Sequence, residues 1–258
     1  MQAPVLPPVF LSCPIAHRAL HGMQEYCPEN SRAAIRAAVA AGYGIEIDLQ
    51  LSADGQAMVF HDDDLDRLTE ASGPVRARSA AELAAIPLKN SAGEGIPTFA
   101  EVLEIVAGQV PLLVEIKDQD GAMGPEVGPL EAAAVAALEG YAGPVALMSF
   151  NPYSMAEVAR LAPGIPRGLT TSAYDPEAWV PLPAARCSEL REIPDFDRVG
   201  ASFISHEAVD AARPRVQALR KAGVPVLSWT LKSAAAEEEA RQYVDNVTFE
   251  AYLAVHPA

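Results

Sequence analysis

Two carboxylates and an imidazole lie close together in the sequence, on either side of a tight turn. Glu46 and Asp48 are two residues apart in an alternating apolar run, so on a β-strand both side chains point to the same face. The Asp-Gly pair at 54–55 marks a turn before a second strand-like run, which ends at His61. A hairpin over 45–61 would place His61 opposite Asp48. The pattern predicts a cation between the two acids with an imidazole beside it.

Two other strand-like runs also end in residues that could do chemistry. His17 and Arg18 lie at the end of the first run, and Glu115 and Lys117 lie at the end of a later one. Glu115 offers a third carboxylate, and three oxygen ligands suit a hard divalent cation, either Mg²⁺ or Ca²⁺. His17 and His61 form a candidate acid/base pair, because an imidazole titrates near neutral pH. Arg18 and Lys117 are either salt-bridge partners of the neighbouring acids or contacts to an anionic phosphoryl group.

Charge and composition exclude several classes of partner. The 258 residues carry a formal net charge of -15, which argues against nucleic-acid binding and against a basic membrane-surface anchor. An acidic protein binds an anionic small molecule only where a metal or a few basic residues concentrate positive charge. The N-terminus resembles neither a signal peptide nor a membrane span, and three cysteines without disulfide spacing favour a reducing compartment. We expect a cytoplasmic protein; composition leaves its oligomeric state open.

Strand-like runs alternate with alanine-rich helical segments, which predicts βα units around a mainly parallel sheet. The size fits one (β/α)8 barrel domain over 1–258, with a small insertion over 62–97 and a long loop over 172–197. The predicted strands cover 15–17, 45–49, 112–116, 145–150, 167–170, 201–205 and 224–230. The predicted helices cover 31–41, 98–107, 129–139, 153–161, 214–222 and 234–243. Strand ends of such a barrel meet at one face, where the distant candidate residues would converge.

A set of ordered motifs resembles the glycerophosphodiester phosphodiesterase family, which has a TIM-barrel-type fold. The motifs are AHRAL, PENS, GIEIDLQLSADGQAMVFHDDDLDRLT, LLVEIK, LMSF and SWT. The resemblance implies metal-dependent hydrolysis of glycerophosphodiesters to sn-glycerol 3-phosphate and an alcohol, by two histidines acting as acid and base in an order that stays open. It implies the following roles: catalytic His17 and His61; metal ligands Glu46, Asp48 and Glu115; phosphate contacts Arg18 and Lys117; Glu29 and Asn30 near the site; and aromatic walls Phe150 and Trp229.

Besides the conservative replacement of the usual threonine by Ser31, three positions depart from the family pattern. Ala19 replaces the glycine of His-Arg-Gly, Lys232 stands where asparagine is common after the tryptophan, and Glu250 follows a final Thr-Phe instead of Thr-Asp. The methyl group of Ala19 is expected to narrow a place where backbone passes close to ligand. The departures leave open a related phosphodiesterase that acts on lysophospholipids or sugar phosphodiesters. A non-catalytic binding barrel is a further alternative, opposed by the filled catalytic and metal positions.

Overall fold

Eight parallel strands close into a barrel in the computed structural model, which describes residues 4–256. The strands follow the order β1-β9-β8-β7-β6-β5-β4-β2, and β2 pairs with β1 to close the ring. One further strand, β3, runs antiparallel to β2. Their bounds are β1 (Ile15–Ala16), β2 (Gly44–Leu51), β3 (Ala57–Val59), β4 (Leu112–Ile116), β5 (Val145–Ser149), β6 (Arg167–Thr171), β7 (Phe203–Glu207), β8 (Val226–Leu231) and β9 (Asn246–Phe249). The predicted (β/α)8 TIM-barrel-like fold is confirmed.

The helices surround the barrel, and several of them begin at a capping side chain. Ser31 accepts a hydrogen bond from the backbone of Ala34 at the start of the first long helix, and Gly42 ends that helix in the left-handed conformation. Thr98 and Glu101 form a capping box at the start of the helix over Phe99–Val106. The helices are α1 (Val9–Ser12), α2 (Arg32–Ala41), α3 (Ala80–Ala85), α4 (Phe99–Val106), α5 (Pro129–Ala137), α6 (Pro152–Leu161), α7 (Ala184–Arg191), α8 (Pro214–Lys221) and α9 (Ala234–Ala240). None of them, within the described residues, is long and apolar enough to cross a membrane.

Alternation along each strand separates the barrel interior from the helix layer. Ile45 and Ile47 of β2 belong to the large apolar cluster that includes the helices. Leu113, Phe203 and Leu227 belong to a smaller cluster with Phe10 of α1, which fills the lower part of the barrel. The inward positions nearer the strand ends are polar, so the barrel holds an apolar floor below a polar site.

The β2–β3 hairpin forms because β1 and β3 pair with different parts of the same edge of β2. β1 has only two residues and pairs with Gly44 and Ile45, whereas β3 pairs with the last three residues of β2. Strand β3 therefore takes up the part of the β2 edge that β1 leaves open. This arrangement brings the residues that follow β1 and β3 to the same pair of inward carboxylates.

The predicted register of the hairpin was wrong by one residue. Ser52 pairs with Gln56, so the loop has three residues and contains Gly55 at a φ of 81°; a two-residue turn at 54–55 would have given the predicted pairing. The backbone N–H of Phe60 donates to the carbonyl of Asp48 at 3.0 Å. Phe60 therefore lies opposite Asp48, and His61 is the next residue.

Other differences from the sequence prediction concern short or polar elements. The segment 172–197 was expected to be a loop, but it contains α7. Strand β9, the eighth strand of the barrel, and the short helix α1 were not predicted. After the hairpin, α3 and the loops around it enclose an apolar cluster of their own that includes Leu65 and Leu83. The limits 62–97 for an insertion stay a prediction.

Candidate active site

Three carboxylates from two adjacent strands form a compact cluster inside the barrel. Asp48 of β2 and Glu115 of β4 are Cα partners in the parallel pairing, and Glu46 lies two residues earlier on the same inward face. One oxygen of each lies within 4.8 Å of the others, and all three side chains are buried. Strand register alone therefore brings together the three acids that the sequence predicts.

Burial and mutual repulsion set the electrostatics of this cluster. Desolvation raises the pKa of Glu46 well above its usual value, and the charges of Asp48 and Glu115 raise it further. Burial would also raise the pKa of Asp48, but Lys117, His61 and Arg18 outweigh it and hold that pKa well below its usual range. The Lys117 ammonium lies 2.7 Å from Asp48 and 2.6 Å from Glu115.

Desolvation alone would lower the pKa of Lys117, but these two carboxylates raise it above its ordinary value. Lys117 is therefore a charged ammonium held between two buried acids.

A second set of contacts fixes two of the three carboxylates, Glu46 and Asp48, and the side chain of Arg18. The Arg18 backbone N–H donates to Glu46 at 2.9 Å, and the Arg18 guanidinium donates to Glu29 at 2.8 Å. Asn30 donates its amide N–H to Asp48 at 2.9 Å. Among the residues that line the cavity described below, Arg18 is present but Glu29 and Asn30 are not. The structure thus places these two residues against Arg18 and Asp48, and their substrate-binding role stays a prediction.

Each candidate catalytic histidine is held through the same ring nitrogen. Nδ1 of His17 lies 2.7 Å from a carboxylate oxygen of Glu250, and Nδ1 of His61 lies 2.6 Å from Asp62. An ionised carboxylate only accepts hydrogen bonds, so Nδ1 carries the hydrogen and Nε2 remains for chemistry. Arg67 donates to Asp62 at 2.6 Å and fixes it. Burial lowers the pKa of His17, although Glu250 acts in the opposite direction.

The three carboxylates, the two histidines and the two basic side chains face one small cavity, which opens beside a larger cleft. The cavity has a volume of about 100 Å³, and the cleft has about 420 Å³. Phe150 borders both, and its ring makes an edge contact with Trp229 at a centroid distance of 5.5 Å. The cavity is lined by His17, Arg18, Glu46, Asp48, His61, Glu115, Lys117, Met148, Phe150, Thr170, Ser205, Trp229, Thr230 and Thr248.

Several residues of the site were not predicted from the sequence. Asp62 and Arg67 lie inside the longest family-like motif, so their position near His61 was a signal that could have been used. Thr170, Ser205 and Thr248 had no such signal, since hydroxyl residues are common in strands.

The structure also shows the surroundings of Ala19, Lys232 and Glu250, the three residues that depart from the family pattern. Lys232 lies 2.7 Å from Glu250, so two of the three departures are partners. Ala19 does not line the cavity; its backbone N–H donates to the carbonyl of Glu46 at 2.9 Å. The expected narrowing by its methyl group is therefore not seen, because Ala19, unlike His17 and Arg18 before it, does not border the cavity.

Comparison with known proteins identifies the family. The model of the glycerophosphoryl diester phosphodiesterase family matches residues 17–249. The chain belongs to this family. As a member, it is a phosphoric diester hydrolase with a TIM-barrel fold.

Individual family members are similar over different lengths. The glycerophosphodiester phosphodiesterase of Caldanaerobacter subterraneus subsp. tengcongensis is 34% identical over 174 residues, which cover 64% of this chain and 69% of the relative. A phosphodiesterase from Oleispira antarctica, solved with the product sn-glycerol-3-phosphate, is 27% identical with a TM-score of 0.72 over 92% of this chain and 91% of that chain. A putative family member from Agrobacterium tumefaciens shares the fold with a TM-score of 0.74 at 22% identity, over 92% of this chain and 93% of that chain.

Proposed function

We propose that this protein hydrolyses glycerophosphodiesters to sn-glycerol 3-phosphate and an alcohol, using a divalent cation and two histidines. The observation that carries the proposal is the pair of imidazoles, each fixed at Nδ1 by a carboxylate, that line one cavity with three clustered acids. Family membership supports the reaction class. The relative from Oleispira antarctica, solved with sn-glycerol-3-phosphate, supports the product.

The acid cluster fits a hard divalent cation. Glu46, Asp48 and Glu115 offer only oxygen ligands, at mutual distances that one ion spans. The raised pKa of Glu46 indicates that Lys117 alone does not balance the buried negative charge. Both Mg²⁺ and Ca²⁺ accept such ligands. A cation held there would stabilise the negative charge that develops on the phosphoryl oxygens.

The two histidines take different roles because they border different spaces. His17 lines only the inner cavity, whereas His61 lines the inner cavity and the outer cleft. The lowered pKa of His17 keeps its imidazole neutral near pH 7, as a general base requires. His17 takes the proton of the attacking hydroxyl. Attack by water gives sn-glycerol 3-phosphate directly, whereas attack by the substrate's own 2-hydroxyl gives a cyclic phosphodiester that water then hydrolyses to sn-glycerol 3-phosphate. His61 protonates the oxygen of the leaving alcohol at the mouth of the cleft.

Arg18 and Lys117 supply positive charge to the phosphoryl group. Nε of Arg18 is buried and has no hydrogen-bond partner within residues 4–256, so this N–H is available to a phosphoryl oxygen. The Lys117 ammonium lies at the same wall of the cavity, next to the acids. Local cations of this kind explain how a protein of net charge -15 binds an anionic diester.

The direct test is an assay of sn-glycerol 3-phosphate release from glycerophosphocholine. Protein treated with EDTA is compared with protein resupplied with Mg²⁺ or Ca²⁺, which also separates the two ions. We expect activity only with a cation, and losses of at least about 100-fold in His17→Ala and His61→Ala. Release of no phosphomonoester from any glycerophosphodiester, or full activity of both variants, would contradict the proposal.

The leaving group and the compartment need separate experiments. A panel of glycerophosphocholine, glycerophosphoethanolamine, a lysophospholipid and a sugar phosphodiester separates the family activities, and turnover of the lipid alone would contradict the proposed substrate. We place the protein in the cytoplasm on the basis of its cysteine usage. Cell fractionation with detection of the native protein tests this placement, and recovery outside the cytoplasm would refute it.

A further inference from the structure

Three hydroxyl side chains line the inner cavity on the side away from the acid cluster. They are Thr170 of β6, Ser205 of β7 and Thr248 of β9, exposed by 1%, 0% and 1%. Within the part of the chain that the structure describes, none of the three hydroxyl oxygens has a hydrogen-bond partner. The proposed reaction leaves all three unused.

Unpartnered buried hydroxyls are unusual, because a buried donor or acceptor without a hydrogen bond is costly. Nearby hydroxyls that face away from the cavity are paired. Thr171, next to Thr170, lies 2.8 Å from Nδ1 of His206, and Ser228 donates to the His206 carbonyl at 2.9 Å. Thr170, Ser205 and Thr248 therefore differ from these neighbours in lying at the cavity wall, where a ligand can satisfy them.

The three hydroxyls and an aromatic ring form one surface, which we call the hydroxyl wall (Thr170, Ser205, Thr248 and Trp229). Thr170 and Ser205 are Cα partners on neighbouring strands, so their side chains lie side by side. The strand β8 lies between β7 and β9 and contributes Trp229, whose indole N–H is bonded to the Ser205 carbonyl at 3.0 Å. This wall offers uncharged donors and acceptors beside an apolar face, which matches a polyol with its hydroxyl and C–H groups.

We propose that the hydroxyl wall binds the free hydroxyl groups of the glycerol moiety and so selects glycerol on the inner side of the cavity. The inference rests on the proposed function, since it assigns one end of that substrate. The charged residues on β2 and β4 face the phosphoryl group, and the outer cleft beyond His61 receives the leaving alcohol. The opposite side of the inner cavity remains for the glycerol end, and there the hydroxyl wall presents three unpartnered hydroxyl groups.

The decisive experiment compares binding of two phosphomonoesters that share a three-carbon chain. sn-Glycerol 3-phosphate carries two hydroxyl groups, whereas n-propyl phosphate has none. Calorimetric titration in the presence of Mg²⁺ is done with the wild type and with Thr170→Val, Ser205→Ala and Thr248→Val, which remove the hydroxyl and little volume. We expect each variant to weaken sn-glycerol 3-phosphate by about 3- to 10-fold, the worth of a neutral hydrogen bond, with n-propyl phosphate within twofold of the wild type.

A matched control is Ser154→Ala in α6. The hydroxyl of Ser154 is also buried and unpartnered in the described structure, but it does not line this cavity. Its removal should leave both affinities unchanged. Equal weakening of both ligands in the wall variants, or no weakening of either, would overturn the inference. Failure of the proposed function is recognised by a different result. In that case the wild type hydrolyses no glycerophosphodiester, whatever the titrations of the variants show.

Discussion

The cavity has two halves that satisfy their polar groups in opposite ways. The charged half is formed by β1, β2, β4 and the residues after them, and contains Glu46, Asp48, Glu115, Arg18 and Lys117. Its side chains and backbone are linked to one another at 2.6 to 2.9 Å. The hydroxyl wall across the barrel has side-chain oxygens with no partner within residues 4–256. Most polar groups of the charged half are paired without substrate, Nε of Arg18 being an exception, whereas the hydroxyls of the wall are left for a ligand.

The difference follows from the energetic cost of burial. An unpaired buried charge costs several kcal/mol, so a cluster of charges must carry its own counter-charges to fold. An unpaired hydroxyl costs about 1–3 kcal/mol, which a domain of this size tolerates at a functional site. Changes in the charged half should therefore reduce stability and activity together. Changes in the hydroxyl wall should separate the two.

The largest expected effect comes from Asp48→Asn. This change removes the buried charge that lies 2.7 Å from Lys117 and 3.8 Å from Arg18, so that each cation keeps only one carboxylate partner, Glu115 or Glu29. We expect the free energy of unfolding to fall by about 3–5 kcal/mol and glycerophosphodiester hydrolysis to be lost. Urea denaturation followed by circular dichroism measures the first quantity.

The control is Glu70→Gln, which neutralises an exposed acid whose distance to Lys89 is 3.8 Å. It should change the free energy of unfolding by less than about 0.5 kcal/mol. A stable Asp48→Asn variant would remove the distinction between the two halves.

The next largest effect is expected for Glu250→Gln, which acts through His17. Glu250 accepts the Nδ1 hydrogen and favours the protonated imidazole, opposing the effect of burial on the pKa of His17. With glutamine the pKa of His17 falls further, so the acid limb of the rate profile moves to lower pH. We expect kcat to fall roughly 10- to 100-fold, part of the usual worth of a general base. A pH profile of kcat/KM with glycerophosphocholine measures both changes.

Lys232→Met provides the comparison for this prediction. Lys232 contacts the other oxygen of Glu250, but its side chain is 69% exposed, and exposed ion pairs contribute little. Its removal should change kcat by less than about threefold. An acid limb that moves upward in Glu250→Gln would refute the assigned role of Glu250.

The charged half was predictable from the sequence, and the reason lies in strand geometry. Glu46 and Asp48 alternate with isoleucines on a buried strand, where acidic side chains are almost never found unless they are paired. Glu115 is the fourth residue of an otherwise apolar five-residue run, which is β4 over the same residues as predicted. Inward acids at strand ends are therefore conspicuous, and their convergence follows from the barrel.

The remaining features depend on information that residue types do not carry. The position of His61 relative to Asp48 was set by a three-residue loop, and the Asp-Gly signal favours a two-residue turn equally well. Strand β9 reads Asn-Val-Thr-Phe, too short and polar to stand out, and it carries Thr248. Without a predicted β9, residue types alone could not place Thr248 at the same cavity as Trp229.

The hydroxyl wall should respond to substitution in the opposite sense to the charged half. In Thr170→Val and Ser205→Ala, an unpartnered polar group gives way to a methyl group or a hydrogen. We expect the free energy of unfolding to stay constant or to rise by up to about 1 kcal/mol, because no hydrogen bond is lost and less polar surface is buried. Denaturation in the absence of substrate measures this. A loss above about 1 kcal/mol would mean that these hydroxyls stabilise the fold.

The smallest expected effect is that of Ala19→Gly, at the backbone that joins β1 to the charged half. Ala19 has a φ of 64°, a left-handed conformation that costs an L-residue about 1–2 kcal/mol and glycine almost nothing. Against this gain, the variant loses a buried methyl group worth about 0.8 kcal/mol. It also gains unfolded-state freedom worth about 0.5–1 kcal/mol. These terms nearly cancel, so the unfolding free energy should shift by less than about 0.5 kcal/mol. Because Ala19 does not line the cavity, kcat/KM should also stay within twofold; a larger change in kcat/KM would show that the backbone at Ala19 influences the substrate.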